Sequence, residues 1–215
     1  MTTVTLSPTI CPSHRKCLKL QNSEEKKSII NTAFAIAMYY IPFHLRSSVS
    51  QENLRGLPKQ YLIPPQQPSH LFTTVAKLCS NMELDNAFFF KGLPNRVNLN
   101  AHNAQSVFMS VAKETFADGT KNWGRVLAIY TLAGCMSLYF LLQNELVIVK
   151  SIPYWVKEFV SIHLADWIEE QGGWDDLPKK LSNDSNNQSS WSKVIAVGGV
   201  VAATAGLFLF STGMR

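Results

Sequence analysis

Asn122-Trp123-Gly124-Arg125 is the one tetrapeptide in this 215-residue chain whose residue types look chosen for chemistry. Arginine presents a planar fork of donors that fits a carboxylate through two parallel hydrogen bonds. One turn into a helix it opposes the helix dipole, which points it towards an anion, either external or within its own fold. Gly124 costs about 1 kcal/mol relative to alanine in a helix interior, so its use there implies close approach by another backbone. Asn122 is suited to cap the helix. The tetrapeptide thus reads either as binding chemistry or as an arginine paired within its own fold. Enzyme chemistry finds no support: His14, His44, His70, His102 and His163 occur singly, with no helical metal spacing. No glycine-rich phosphate loop, serine elbow or paired-carboxylate constellation is present, and neither a cofactor nor a metal is expected. Cys11, Cys17, Cys79 and Cys135 lack metal spacing and read as free thiols in a reducing compartment.

The elements that position the tetrapeptide are helical. After Arg125 no charge occurs until Glu145, a run of 19 residues that could cross a bilayer or fill the centre of a soluble domain. Residues 1–22 show no periodicity and read as a mobile arm. A first helix is expected from Ser23, with Glu24 and Glu25 in its first turn and Pro42 kinking or ending it near Ile41. Four prolines make residues 46–69 a loop. Helices follow over 69–82, over 85–93 (ended by Gly92 and Pro94), over 101–117 and over 121–143. An amphipathic helix over 149–163, interrupted by Pro153, comes next and is continued or restarted over 164–170, and a last short turn or helix over 174–181 follows the break at Gly172-Gly173. Trp167, Gly172, Gly173, Trp174 and Asp175 suggest a corner packed by aromatics. No segment alternates long enough to read as a strand. The fold class is therefore all-α, a bundle of about eight helices around one central apolar helix over residues 23–182. The net charge of +5 has no dense basic block, so nucleic acid is not an expected partner.

Residues 183–192 read as a flexible polar tether. Beyond it, residues 194–212 form a second uncharged run of 19, flanked by Lys193 and Arg215, with Trp191 at its start. That length spans a hydrocarbon core of about 30 Å, and tryptophan suits the interface. The membrane-facing residues would be Val194, Ile195, Val197, Val200 and Val201, then Leu207, Phe208, Leu209 and Phe210. Ala202 and Gly206 stand in small-xxx-small spacing. A C-terminal transmembrane helix over 193–213 is expected, acting as a tail anchor with the helical domain in the cytosol.

Phe116-Ala117-Asp118-Gly119 followed by Asn122-Trp123-Gly124-Arg125 resembles the first homology region of the Bcl-2 family of apoptosis regulators. The run from Trp167 through Gly172-Gly173-Trp174-Asp175 resembles the second, and residues 36–45 resemble the fourth. The third, the BH3 segment, departs from the family pattern. Val75, Cys79, Ser80 and Met82 stand where leucine, glycine, aspartate and an apolar residue are expected. The apolar ladder Leu71, Val75, Leu78 and Met82 survives, but Ser80 cannot make the charge-assisted pair with a partner's arginine.

The resemblance implies that residues 121–143 are the central helix of a soluble bundle. It implies helix-in-groove capture of BH3-containing Bcl-2 family proteins. Arg125 would pair the ligand's aspartate, with Asn122 and Gly124 admitting its backbone. Apolar anchors would sit among Met82, Phe89, Phe90 and Leu93, and among Val111, Leu127 and Leu132. An intact Arg125 beside an altered Ser80 favours a survival protein. An effector that oligomerises and permeabilises the mitochondrial outer membrane is the alternative, and homo- or hetero-oligomers are expected partners. The expected location is the mitochondrial outer membrane facing the cytosol, with the endoplasmic reticulum and a cytosolic pool besides.

Overall fold

The 20 residues of the second long helix are apolar on every side, and a helix of that kind is stable only where it is surrounded. A computed structural model describes the backbone of residues 12–182 and the side chains of residues 23–180. It comprises α1 (Pro12–Ser48), a 3-10 turn (Gln51–Leu54), α2 (Lys59–Leu62), α3 (His70–Asp85), α4 (Ala87–Arg96) and α5 (Ala104–Glu114). α6 (Trp123–Leu142), α7 (Leu146–His163), α8 (Ala165–Glu170) and α9 (Asp176–Ser182) complete it. Among the described residues the fold is all-helical, with nine α-helices and no strand. α6 is the axis. α1, α3, α4, α5 and α7 pack around it, and it is buried from Trp123 to Gly134 without a break. Polar groups inside it satisfy themselves: Thr131 donates to the Leu127 carbonyl (3.0 Å) and Ser137 to that of Ala133 (2.7 Å).

Both ends of α6 are written in the sequence. Asn122 is extended, and its side chain accepts from the Arg125 N–H at 2.9 Å. At the far end Asn144 takes a positive φ of 61°. The Glu145 N–H then reaches the Phe140 carbonyl (2.9 Å) and the Asn144 N–H that of Leu141 (2.9 Å), a Schellman stop.

Several boundaries differ from expectation. α1 begins at Pro12 rather than Ser23, so Glu24 and Glu25 lie inside the helix. Proline fits the first helical position, and residues 13–22 are mostly good helix formers with no glycine or proline. α1 also continues through Pro42 to Ser48. Proline removes one hydrogen bond, but Ile41, His44 and Leu45 on either side are buried, and that packing holds the last turns. Pro153 sits inside an unbroken α7 for the same reason, between buried Ile152 and Trp155. Gly92 and Pro94 do not end α4, which runs to Arg96. Phe90 and Leu93 are buried, and the Arg96 guanidinium folds back over the Phe88 ring (4.7 Å) and donates to the Phe88 carbonyl (3.3 Å). The proline-rich connection after α1 is not bare loop. Leu54, Leu57 and Tyr61 plug into the core, and Arg46 donates to the carbonyls of Gln60 and Tyr61 at 3.2 and 3.3 Å.

The arm residues 1–11, the tether and the expected transmembrane helix over 193–213 lie outside the described residues.

Candidate functional site

Arg125 projects from the first turn of α6 and is buried, with 4% of its side chain exposed. Its guanidinium makes a forked pair with Asp118 in the α5–α6 connection: Nη1 donates to Oδ1 in a short contact and Nη2 to Oδ2 at 2.7 Å. Nη1 also donates to the Thr120 carbonyl (2.8 Å). The buried Nε–H finds no acceptor among the described residues. Asp118 is half exposed, at 53%. It follows a short turn and precedes Gly119, whose φ of 76° suits glycine. The Arg125 side chain, and then the Thr120 N–H, hold the Asp118 carboxyl well below the usual carboxylate range. Asp118 is the partner that sequence reasoning missed; the seven-residue offset crosses a turn, where helical spacing rules say nothing.

The apolar residues expected to line a groove lie against one another. Met82 of α3, Phe90 and Leu93 of α4, Val111 of α5, and Leu127 and Leu132 of α6 are all buried, and Phe89 is half-buried. Thr131 donates to the Met82 sulfur at 3.5 Å, and the Cys79 thiol to the Leu127 carbonyl at 3.6 Å. In this state α3 closes over α6. A separate cleft of about 220 Å³ lies between the end of α5 and α7. Lys113, Phe116, Lys121, Phe159 and His163 line it, and none of the expected anchors does. Its His163 is held below the ordinary histidine value by burial and then by the two lysines.

The tryptophans form the corner behind Arg125. Trp123 packs against Trp167 (5.0 Å between ring centroids) and Trp174 (5.7 Å), and Trp174 meets Tyr130 edge-on at 6.1 Å. The Trp174 indole donates to the Ile29 carbonyl of α1 (2.9 Å). The Trp123 indole donates to Asp176 (3.0 Å), whereas Asp175, the residue in the motif, is exposed. Gly172 and Gly173 carry φ of 89° and 82°, which lets the chain turn twice before Trp174.

Residues 75–174, from the α3 ladder to the Trp174 corner, match the family model for apoptosis regulator proteins of the Bcl-2 family. This is a Bcl-2 family domain. The domain is similar to rat apoptosis regulator BAX, at 33% identity over 129 residues that make up 60% of each chain. It is similar to human Bcl-2-like protein 1 at 30% identity over 100 residues, 46% of this chain and 42% of that one. The match thus spans less than two thirds of either relative. Among solved structures the fold resembles chicken BOK (TM-score 0.60, 20% identity, 72% of this chain and 96% of that one). It also resembles the zebrafish pro-survival protein NRZ in complex with the Bad BH3 (0.61, 21%, 74% and 99%). A third likeness is to Trichoplax adhaerens trBcl-2L2 bound to trBak BH3 (0.58, 22%, 69% and 98%). At those identities the likeness is one of fold.

In this Bcl-2 family domain the third-region ladder is turned inward on α3, with Val75, Cys79 and Met82 buried and Leu71 and Leu78 packed at their edge. Ser80 donates to the Ala76 carbonyl (2.9 Å), a bond within its own helix.

The Asp118–Arg125 pair carries a pH signature. A carboxyl whose folded pKa is depressed contributes stability above its unfolded value, near 3.9, and loses it as pH falls towards the folded value. The melting temperature of an Asp118→Asn variant is therefore expected below that of the parent at pH 6, with the gap narrowing steadily from pH 4 down to pH 2. Thermal melts across that range check this; a gap independent of pH contradicts the pairing.

Proposed function

We propose that the protein regulates apoptosis by capturing BH3 helices of pro-apoptotic Bcl-2 family proteins between α3, α4, α5 and α6, so restraining permeabilisation of the mitochondrial outer membrane. The observation that carries this reading is the state of Arg125. Its guanidinium already holds a carboxylate in fork geometry, so the position recognises the group a BH3 helix offers. The carboxylate it holds is half exposed and sits beside a glycine, so a ligand's aspartate can displace Asp118 outward. Ser80, in contrast, leaves the chain's own α3 without the matching acid. That asymmetry makes it a receptor for BH3 helices rather than a donor of one. Asn122 and Gly124 flank the exchange. Met82, Phe89, Phe90, Leu93, Val111, Leu127 and Leu132 become the floor and walls once α3 and α4 move aside. Residues 193–213 supply the membrane anchor, with the domain on the cytosolic face.

A second reading has its own observation. α6 is 20 residues long with a mean hydropathy of 1.6 in its most apolar window, enough to cross a membrane if it left the bundle. That would suit an effector that oligomerises in the membrane.

Calorimetric titration of the full chain with a synthetic BH3 peptide tests the first reading. Binding is expected, and Arg125→Ala is expected to weaken it by about 2–5 kcal/mol, the range for removing one partner of a buried charge pair. Unchanged affinity would sink the groove assignment. Adding the same mixture to dye-loaded liposomes separates the readings: binding without release supports capture, and peptide-triggered release supports the effector.

A further inference from the structure

Three histidine, glutamate and cysteine side chains from three different helices meet beside the buried face of α3. His44 comes from the continuation of α1 beyond Pro42, Glu83 from the last turn of α3 and Cys135 from the middle of α6. His44 Nε2 lies 2.7 Å from Glu83 Oε2. The potential ligand atoms of all three lie within 4.8 Å of one another. They stand far apart in the sequence, which is why no spacing motif announces them. We propose that His44, Glu83 and Cys135 form a zinc site that ties α3 to α1 and α6.

The donor set fits the ion. Imidazole nitrogen, thiolate and carboxylate are the ligands zinc takes, whereas calcium and magnesium demand oxygen. A neutral histidine, a carboxylate and a thiolate carry two negative charges, which a divalent cation cancels, so the occupied cluster adds no net charge to a buried place. Bonds of about 2.0–2.3 Å place tetrahedral ligands roughly 3.3–3.8 Å apart. The His44–Glu83 pair, at 2.7 Å, therefore needs to open and the widest pair to close, each by about an ångström, within the reach of rotamer changes at Glu83 and Cys135. Glu83 is 21% exposed, which gives the ion a route in and leaves room for water as a fourth ligand.

A further observation points the same way. The His44 side chain is 95% buried and its Nδ1 has no partner among the described residues, so the ring is imperfectly satisfied by Glu83 alone. An ion bound there would take the Cys135 sulfur as thiolate and release its proton to solvent. The consequence concerns α3. Parting α3 from α6 breaks the ligand set, so bound zinc opposes groove opening. The site itself stands on the cluster alone. Its link to BH3 capture rests on the reading above, which the peptide titration tests separately.

The experiment uses the full chain, purified with a chelator and then dialysed. Zinc titrated against a chromophoric chelator is expected to bind one to one and to raise the melting temperature. Cobalt, as a spectroscopic stand-in, is expected to give a thiolate-to-metal charge-transfer band. Cys135→Ala, verified as folded by circular dichroism, abolishes the band. It should weaken zinc binding by at least the roughly 100-fold at the upper end for losing a ligand's hydrogen-bonding partner. A Cys11→Ala, Cys17→Ala variant keeps both band and affinity. Should Cys135→Ala fail to fold, Glu83→Gln serves in its place, with the thiolate band retained but zinc affinity reduced. Absence of stoichiometric zinc binding overturns the proposal, as does a thiolate band that survives Cys135→Ala or vanishes with Cys11 and Cys17.

Discussion

Trp174→Ala is expected to lower the unfolding free energy by about 3–5 kcal/mol, the range for deleting a buried aromatic side chain. The indole is buried, packs tilted against Trp123 and edge-on against Tyr130, and donates to the Ile29 carbonyl at 2.9 Å. Truncation opens a cavity between α1, α6 and the α8–α9 turn and removes the N–H that reaches the Ile29 carbonyl. Domains of this size are stable by about 5–15 kcal/mol, so the variant is expected to be partly unfolded at 37 °C. Urea denaturation followed by tryptophan-independent far-ultraviolet dichroism measures the change. Trp174→Phe retains the ring but not the N–H, and it should recover more than half of the loss. A loss below 1 kcal/mol for alanine would show that the corner is a surface feature rather than part of the core.

Gly134 gives the second large effect, through the opposite fault. It lies in the middle of α6, where alanine alone would gain about 1 kcal/mol of helix propensity. A β-carbon there would meet the Tyr40 ring of α1 at 2.9 Å, closer than real β-carbons come. Tyr40 is fully buried and has no space to swing into. Gly134→Leu is therefore expected to cost about 1–3 kcal/mol net of the propensity gain, the range for overpacking a tight core. Gly134→Ala should cost less but still not stabilise. Combining Gly134→Leu with Tyr40→Leu should restore part of the loss, and denaturation midpoints of the four proteins decide it. A stabilised Gly134→Ala variant would mean that α1 and α6 stand further apart than described.

The reading of the sequence succeeded where a residue type had a local job. Asn122 as a cap and Gly172-Gly173 as a break each follow from one element's own chemistry, whereas the uncharged run after Arg125 is assigned to a buried axis by the family resemblance. It failed where tertiary packing overrode local preference. Pro42, Pro94 and Pro153 sit inside continuous helices because buried neighbours hold the turns together. The early start of α1 escaped notice because periodicity, the signal used, reports a buried face, and helix propensity without such a face leaves no period. The candidate site divided in the same way. Arg125 was legible as a carboxylate binder from its motif, but its present partner was not, since Asp118 reaches it across a turn. Asp176, the partner of Trp123, was not legible, because which of two adjacent acids faces inward depends on where α9 docks. The meeting of His44, Glu83 and Cys135 was out of reach of any spacing rule, because three separate helices deliver them.

The bond from Trp123 to Asp176 has a mechanical meaning. Asp176 opens α9, the last described helix, and the chain runs on from there towards the apolar segment at 194–212. Trp123 is two residues from Arg125 in the first turn of α6. The bond therefore joins the start of α9 to the turn that aims the guanidinium, so a displacement of α9 would be felt at Arg125.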